Sequence, residues 1–262
     1  MADPRFFDRA GPFSLNTLSA LSGATLSCPA DGEHLGFSCE LRRTLISDLR
    51  PSEDEVFRRL HHSARGAIRK AERSGVQVEE SSDDGFAEEY YNQLQQVFAR
   101  QSLVPTYRLD RVKQLLRYML PTHNVLCLRA RDPHGTCIAT SIYVGTHKLA
   151  VYWGNASCRE CLHLRPNELM NWYAIRYWKE RGIQIFDWGG EADYGRYKRK
   201  YGGNPFVYPS FRKSRYALVS MLRSGALNFH KWDQRLLGWL HSSSSNPRIE
   251  QLNETKQDEA AP

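Results

Sequence analysis

Asn124 to Asn155 reads NVLCLRARDPHGTCIATSIYVGTHKLAVYWGN. Three apolar runs, Asn124–Ala130, Thr136–Tyr143 and Lys148–Asn155, follow one another closely. Asp132-Pro133-His134-Gly135 and Gly145-Thr146-His147 separate them. Proline presets φ and glycine admits positive φ, so both separators carry turn chemistry and the stretch predicts an antiparallel meander of three strands.

Downstream, Pro166 suits the first turn of a helix running through Trp172 and Trp178 to Gly182. Ile183 to Trp188 reads as a buried strand ending in Gly189-Gly190, and Phe206–Tyr208 as a further one beyond a basic, aromatic segment. Upstream, Leu41–Leu49 and Val76–Glu80 read as strands, and Phe86–Phe98 and Leu109–Met119 as helices. Between the two early strands, Ser52 and Glu55 have the spacing of a capping box. Val56, Leu60, Ala64, Ala67, Ile68 and Ala71 then give a continuous helix one apolar face, with Gly75 where a left-handed cap belongs. This order predicts an α/β fold: one mixed, mostly antiparallel sheet with helices on both faces.

The 262 residues are 41% hydrophobic and 25% charged, the balance of a globular protein with one substantial core. No apolar run approaches the roughly 18 residues that span a bilayer, and Met1–Gly11 lacks the apolar stretch of a signal peptide, which predicts a cytoplasmic protein. A net charge of +7 and a pI near 9.1 favour an anionic partner, although a scattered basic surface fits the same numbers. Six cysteines do not make a disulfide scaffold, and Cys158/Cys161 is a lone C-x-x-C pair. Even with His163 it lacks a fourth zinc ligand, so reduced thiols and no metal are expected.

Three segments carry a family resemblance. His61-His62-Ser63-Ala64-Arg65-Gly66-Ala67-Ile68-Arg69-Lys70-Ala71-Glu72-Arg73-Ser74-Gly75-Val76 is similar to an R-x-x-I-R-K-A-x-x-x-G-V helix. Leu164-Arg165-Pro166-Asn167-Glu168-Leu169-Met170-Asn171-Trp172 looks like a loop and helix that follow a meander. Phe186-Asp187-Trp188-Gly189-Gly190 and Tyr197-Lys198-Arg199-Lys200-Tyr201-Gly202-Gly203 resemble a D-x-G-G … F-K-x-x-F-G signature, with tyrosine for both phenylalanines. In this order they resemble the Fem-type (FemAB-like) peptidoglycan-bridge aminoacyltransferases of the GNAT acyltransferase superfamily. The resemblance covers roughly residues 41–215 and implies a GNAT-like sheet. Fem-type enzymes generally carry two such units and some a coiled-coil arm. This chain has room for one unit plus a fragment, which suits a smaller relative acting in cell-envelope or polysaccharide assembly. The expected organisation is an N-terminal extension at 1–40 packed on the sheet, a GNAT-like domain at 41–215, an amphipathic helix at 216–241 and a disordered tail at 242–262.

Acyl transfer to an amine needs a group facing the developing oxyanion, a way to take a proton from the amine, and a grip on the carrier. The resemblance implies that Lys198 meets charge on the reacting carbonyl or a nearby phosphate. A solvated basic run is the plainer reading of Arg196, Lys198, Arg199 and Lys200. Asp187, at a strand end, suits either an amine-orienting base or a cap for the following loop, and Glu191 and Asp193 are weaker base candidates. Arg65, Arg69 and Arg73 recur at i, i+4 and i+8 with Lys70 beside them, a stack that phosphate would neutralise and solvent would tolerate. Arg199, Trp172 and Tyr152 complete the candidate binding set; by spacing and strand alternation the aromatics of these segments read mostly as core, with one or two able to line an acceptor groove.

Ordinary GNAT enzymes hold coenzyme A pyrophosphate on a glycine-rich loop, whereas Ser157–Asn167 contains no glycine. The expected activity is therefore transfer of an acyl or aminoacyl group from aminoacyl-tRNA or acyl-CoA to an amine of an envelope precursor or metabolite, with no permanently bound cofactor. An acyl-CoA-dependent N-acetyltransferase of a small metabolite and a non-catalytic RNA- or anion-binding module remain open. For Leu218–Leu240, rich in Leu and Trp with interspersed Arg and Lys, packing on its own domain and contact with the inner membrane face both fit.

Overall fold

The computed structural model describes residues 38–190 and 195–212. The expected extension up to residue 37, the C-terminal helix and the tail lie outside them, as do Glu191 and Asp193. The chain divides into two compact units, residues 1–97 with 107–213 and residues 98–106 with 214–262. Of the second, the described part is a turn in which Ser102 at φ 55° gives its N–H to Ala99 O and Leu103 gives its N–H to Phe98 O.

In chain order the elements are β1 (Ser38–Asp48), α1 (Glu53–Arg59), α2 (His62–Arg73), β2 (Gln77–Glu80), α3 (Phe86–Ala99), α4 (Leu109–Met119), β3 (Val125–Arg131), β4 (Cys137–Thr146), β5 (Leu149–Ser157), α5 (Pro166–Glu180), β6 (Ile185–Gly190), α6 (Gly195–Arg199) and β7 (Asn204–Arg212). One seven-stranded sheet runs in the order β2-β3-β4-β5-β6-β1-β7. Every neighbouring pair is antiparallel except β5 and β6. The mixed, mostly antiparallel GNAT-like sheet and the β3–β5 meander thus stand as read from the sequence.

Strand alternation distributes the helices. Leu126, Leu128 and Ala130 of β3 enter the core that Met170, Trp172, Ile175 and Trp178 of α5 share with Ala64 and Ile68 of α2. Arg129, one residue out of phase, meets Phe86 and Glu89 of α3 on the other face. There Arg129, 8% exposed, also binds Ser81 and Asp83 through its guanidinium, tying the loop before α3 to β3.

The continuous helix expected from Ser52 to Gly75 is two helices. Ser52 caps the first, its Oγ accepting from Glu55 N at 3.3 Å. Leu60 then turns extended (φ −62°, ψ 142°), and the ring of His61 caps the second by accepting from Ser63 N. The apolar spacing survives because Leu60 and Ala64 both reach the core. The break frees His61 N–H, which donates to Lys200 O at 2.8 Å and fastens the start of α2 to the segment after α6.

Candidate active site where two parallel strands part

β5 and β6 pair over three residues, Leu149↔Ile185, Ala150↔Phe186 and Val151↔Asp187. Beyond Val151 and Asp187 no described strand pairs with β5 on that side, although β5 runs on to Ser157 against β4. A one-residue slip between Ile142↔Gly154 and Tyr143↔Tyr152 leaves Trp153 as a bulge beside the split. Parallel strands that separate leave backbone donors and acceptors facing a gap, a ready seat for an extended ligand.

Two sequence-selected residues meet at this mouth. Asp187 is 6% exposed, accepts from Thr44 Oγ1, and accepts from Gly189 N at 2.7 Å. Gly189 makes that return turn at φ 74°. Burial raises the Asp187 carboxyl above the usual aspartate range, offset in part by Thr44, Gly189 N–H and the charge of Lys198. Lys198 Nζ lies 5.6 Å from the centroid of the Tyr152 ring, and a methyl group built on Gly189 would sit 3.5 Å from it. Burial lowers the Lys198 ammonium below the ordinary lysine range, with Asp187 pulling the other way. An acid and a base held partly out of water, each shifted against its charged form, mark a candidate functional site.

The segment carrying Lys198 is anchored on all sides. Tyr201 stacks on Trp188 with centroids 4.6 Å apart, and its carbonyl accepts from Ser47 Oγ at 2.9 Å, which in turn accepts from Trp188 Nε1 at 2.8 Å. Gly203 packs closely here, since a β-carbon there would lie a tight 3.2 Å from Leu45 Cβ and 3.4 Å from Trp188 Cδ1. Tyr152 packs against Tyr143 and Trp188 on the wall of the gap, and its hydroxyl bonds Asn155 Oδ1.

The remaining candidates lie apart from this mouth. Trp172 is buried against Phe57, centroids 4.9 Å apart, inside the core. Arg65 uses Nη1 on the carbonyls of Arg58 and Leu60, closing the end of α1. Arg69 is exposed with its guanidinium 5.7 Å from the Phe57 ring, and Lys70 and Arg73 are exposed beside it. Arg199 is exposed at the end of α6. Among the described residues no cluster of three or more His, Cys, Asp or Glu side chains could hold a metal ion. No described helix is long and apolar enough to cross a membrane.

The sequence reading passed over Thr44 and Glu168. Thr44 lies 143 residues from Asp187 and becomes its partner only through the β1–β6 pairing, so no local signal marks it. Glu168, 5% exposed in the first turn of α5, accepts from Lys200 Nζ at 2.7 Å. Its one visible cue was an acidic residue inside an otherwise core-facing helix.

Among the described strands, the one parallel pair thus parts beside the buried Asp187 and the half-buried Lys198. Residues 58–199 match the family described as "Acetyltransferase (GNAT) domain". The chain belongs to that GNAT acetyltransferase family. No curated protein matches its sequence. Among solved structures it is similar to FemX, at 14% identity and a TM-score of 0.59, covering 69% of this chain and 67% of that one. It is also similar to a conserved protein of unknown function from Bacteroides thetaiotaomicron, at 9% identity and a TM-score of 0.50, covering 75% and 66%. At such identities these likenesses concern the fold.

Proposed function

We propose that the protein transfers an acyl group from a carrier to a primary amine at the mouth between β5 and β6. The observation that carries this reading is the junction of Asp187 and Lys198 where the parallel pair parts. In the proposed step the amine attacks the carrier-bound carbonyl, and the tetrahedral oxyanion forms beside the Lys198 ammonium. A preorganised cation in a partly dry site stabilises such charge far better than one in water. The amine proton leaves toward Asp187, whose raised pKa brings it nearer the working pH of a general base. Collapse expels the carrier's oxygen or sulfur, and that leaving group takes up a proton.

We read the carrier as aminoacyl-tRNA and the acceptor as an amine of a cell-envelope or polysaccharide precursor, in keeping with the Fem-type motifs. Two features support an RNA carrier. The loop into α5 lacks the glycines that would let backbone N–H groups close on a pyrophosphate. Arg69, Lys70 and Arg73 meanwhile form an exposed cationic face on α2, whose start is bonded to Lys200 O. This reading puts the protein in the cytoplasm, with transient contact at the inner membrane face where an acceptor is lipid-linked. An acyl-CoA donor is the second reading, favoured by the acetyltransferase description of the family.

Thermal shift separates the donors, because a ligand of the native state raises the melting temperature. Charged tRNA is expected to stabilise the protein and coenzyme A esters are not. Stabilisation by a coenzyme A ester alone selects the second reading. Salt-sensitive RNA binding without transfer of any labelled acyl group selects a non-catalytic module.

A further inference from the structure

The buried ion pair of Lys200 and Glu168 takes no part in the chemistry above. Nζ and Oε1 are 2.7 Å apart, with the side chains 17% and 7% exposed. Taking both charges out of water is costly, and apolar replacements of such pairs are often at least as stable, so stability alone is a weak reason for it. Its surroundings point to another role. Lys200 Nζ lies 3.9 Å from the Tyr197 ring centroid and 5.3 Å from that of Tyr201, the tyrosines one residue before Lys198 and three after it. Tyr201 donates its hydroxyl to Tyr197 Oη at 2.9 Å. Helix α6 has only five residues, too few to hold its own position by internal hydrogen bonds.

We infer that the Lys200–Glu168 pair is a strut that fixes α6 to the first turn of α5, making Lys200 a positioning residue for the Lys198 ammonium. The strut joins the segment bearing Lys198 to the helix that follows β5, adding a charged contact with α5 to the Tyr201–Trp188 stack and the His61–Lys200 bond. This inference rests on the reading of Lys198 as the group facing the oxyanion.

The test uses the Glu168→Gln/Lys200→Met double variant, which leaves no charge buried alone, and Lys200→Arg, which keeps the pair. Modification of Lys198 by acetic anhydride is followed against pH by peptide mass spectrometry and needs no carrier. Asp187 is the charged group acting on Lys198 that stays unchanged in both variants. The wild-type titration is expected below that of an ordinary lysine, the double variant's is expected to move up toward it, and Lys200→Arg is expected to stay near wild type. In a transfer assay the double variant is expected to lose ten- to hundredfold in kcat with donor KM unchanged, the scale of a misplacement of about 1 Å. A folded double variant with wild-type Lys198 titration overturns the inference. If the double variant does not fold, Glu168→Gln alone is titrated in its place, and a wild-type Lys198 titration there overturns the inference equally. A displaced titration in a protein that transfers no acyl group keeps the strut and removes the acyl-transfer reading.

Discussion

Asp187 and Lys198 both sit where their charged forms are disfavoured, the acid pushed up and the base pushed down by burial. A raised acid binds its proton more tightly in the folded state than in the unfolded chain. Folding stability from Asp187 is therefore full below the unfolded aspartate pKa and is lost as pH rises through the folded value, so at neutral pH the carboxylate burdens the fold. Asp187→Asn is accordingly expected to leave the melting temperature unchanged or raised while abolishing the acid limb of the pH–rate profile, by calorimetry and steady-state kinetics. That acid limb should lie above the ordinary aspartate range. The alkaline limb, set by Lys198, should lie below that of free lysine. A lower melting temperature for Asp187→Asn with an unchanged profile would reduce Asp187 to a loop cap. Lys198 was legible because a motif drew attention to it within a basic run. Its distinction from Arg199, exposed one residue on, comes from the helical turn of α6 and could not be read from composition.

At the scale of elements, close contact between β4 and α5 leaves no room at Gly145, where a β-carbon would lie 2.4 Å from Trp178 Cζ3. Gly145→Ala is expected to destabilise by about 1–3 kcal/mol through overpacking, measured by urea denaturation. The cationic face of α2 gives a second test. Replacing Arg69, Lys70 and Arg73 together by alanine is expected to weaken RNA binding and to flatten the slope of log K against log salt by about 2, near 0.7 per lost single-strand phosphate contact. A slope unchanged in the triple variant would move the carrier elsewhere on the surface. The meander was plain in the sequence because its turns carry Pro and Gly and its strands are short and apolar. The break at Leu60 was not, since a core-facing spacing of four residues persists across it and the acceptor of the freed His61 N–H, Lys200 O, is 139 residues away. The five-residue α6 was equally hidden, being held by tertiary contacts.

Across the sheet as a whole, β1 inserts between β6 and β7, so a strand from the start of the described chain completes a site built by its end. No sequence period encodes that insertion, although it brings Thr44 to Asp187 and Ser47 to Tyr201. On the far side of the sheet, Arg129 holds Asp83 and Glu89. Its guanidinium, followed by Ser81, pulls the Asp83 carboxyl well below the usual range, so that stability is present above the unfolded aspartate pKa and lost as pH falls through the folded value. Arg129→Met is expected to cost about 2–3 kcal/mol at neutral pH, less than the ~3–5 kcal/mol of a fully buried pair because Asp83 is half-exposed, and to flatten the acid side of the stability curve. Against these structural terms, the central claim concerns the mouth between β5 and β6. Its most direct test is single-turnover transfer of a labelled acyl group, from aminoacyl-tRNA and from acyl-CoA, by wild type and by Lys198→Ala. The account predicts transfer by the wild type from one of these carriers, and a hundredfold or greater loss in Lys198→Ala, the order of ~10²–10³ for one oxyanion donor, with donor affinity retained. Equal turnover by the two proteins would contradict it.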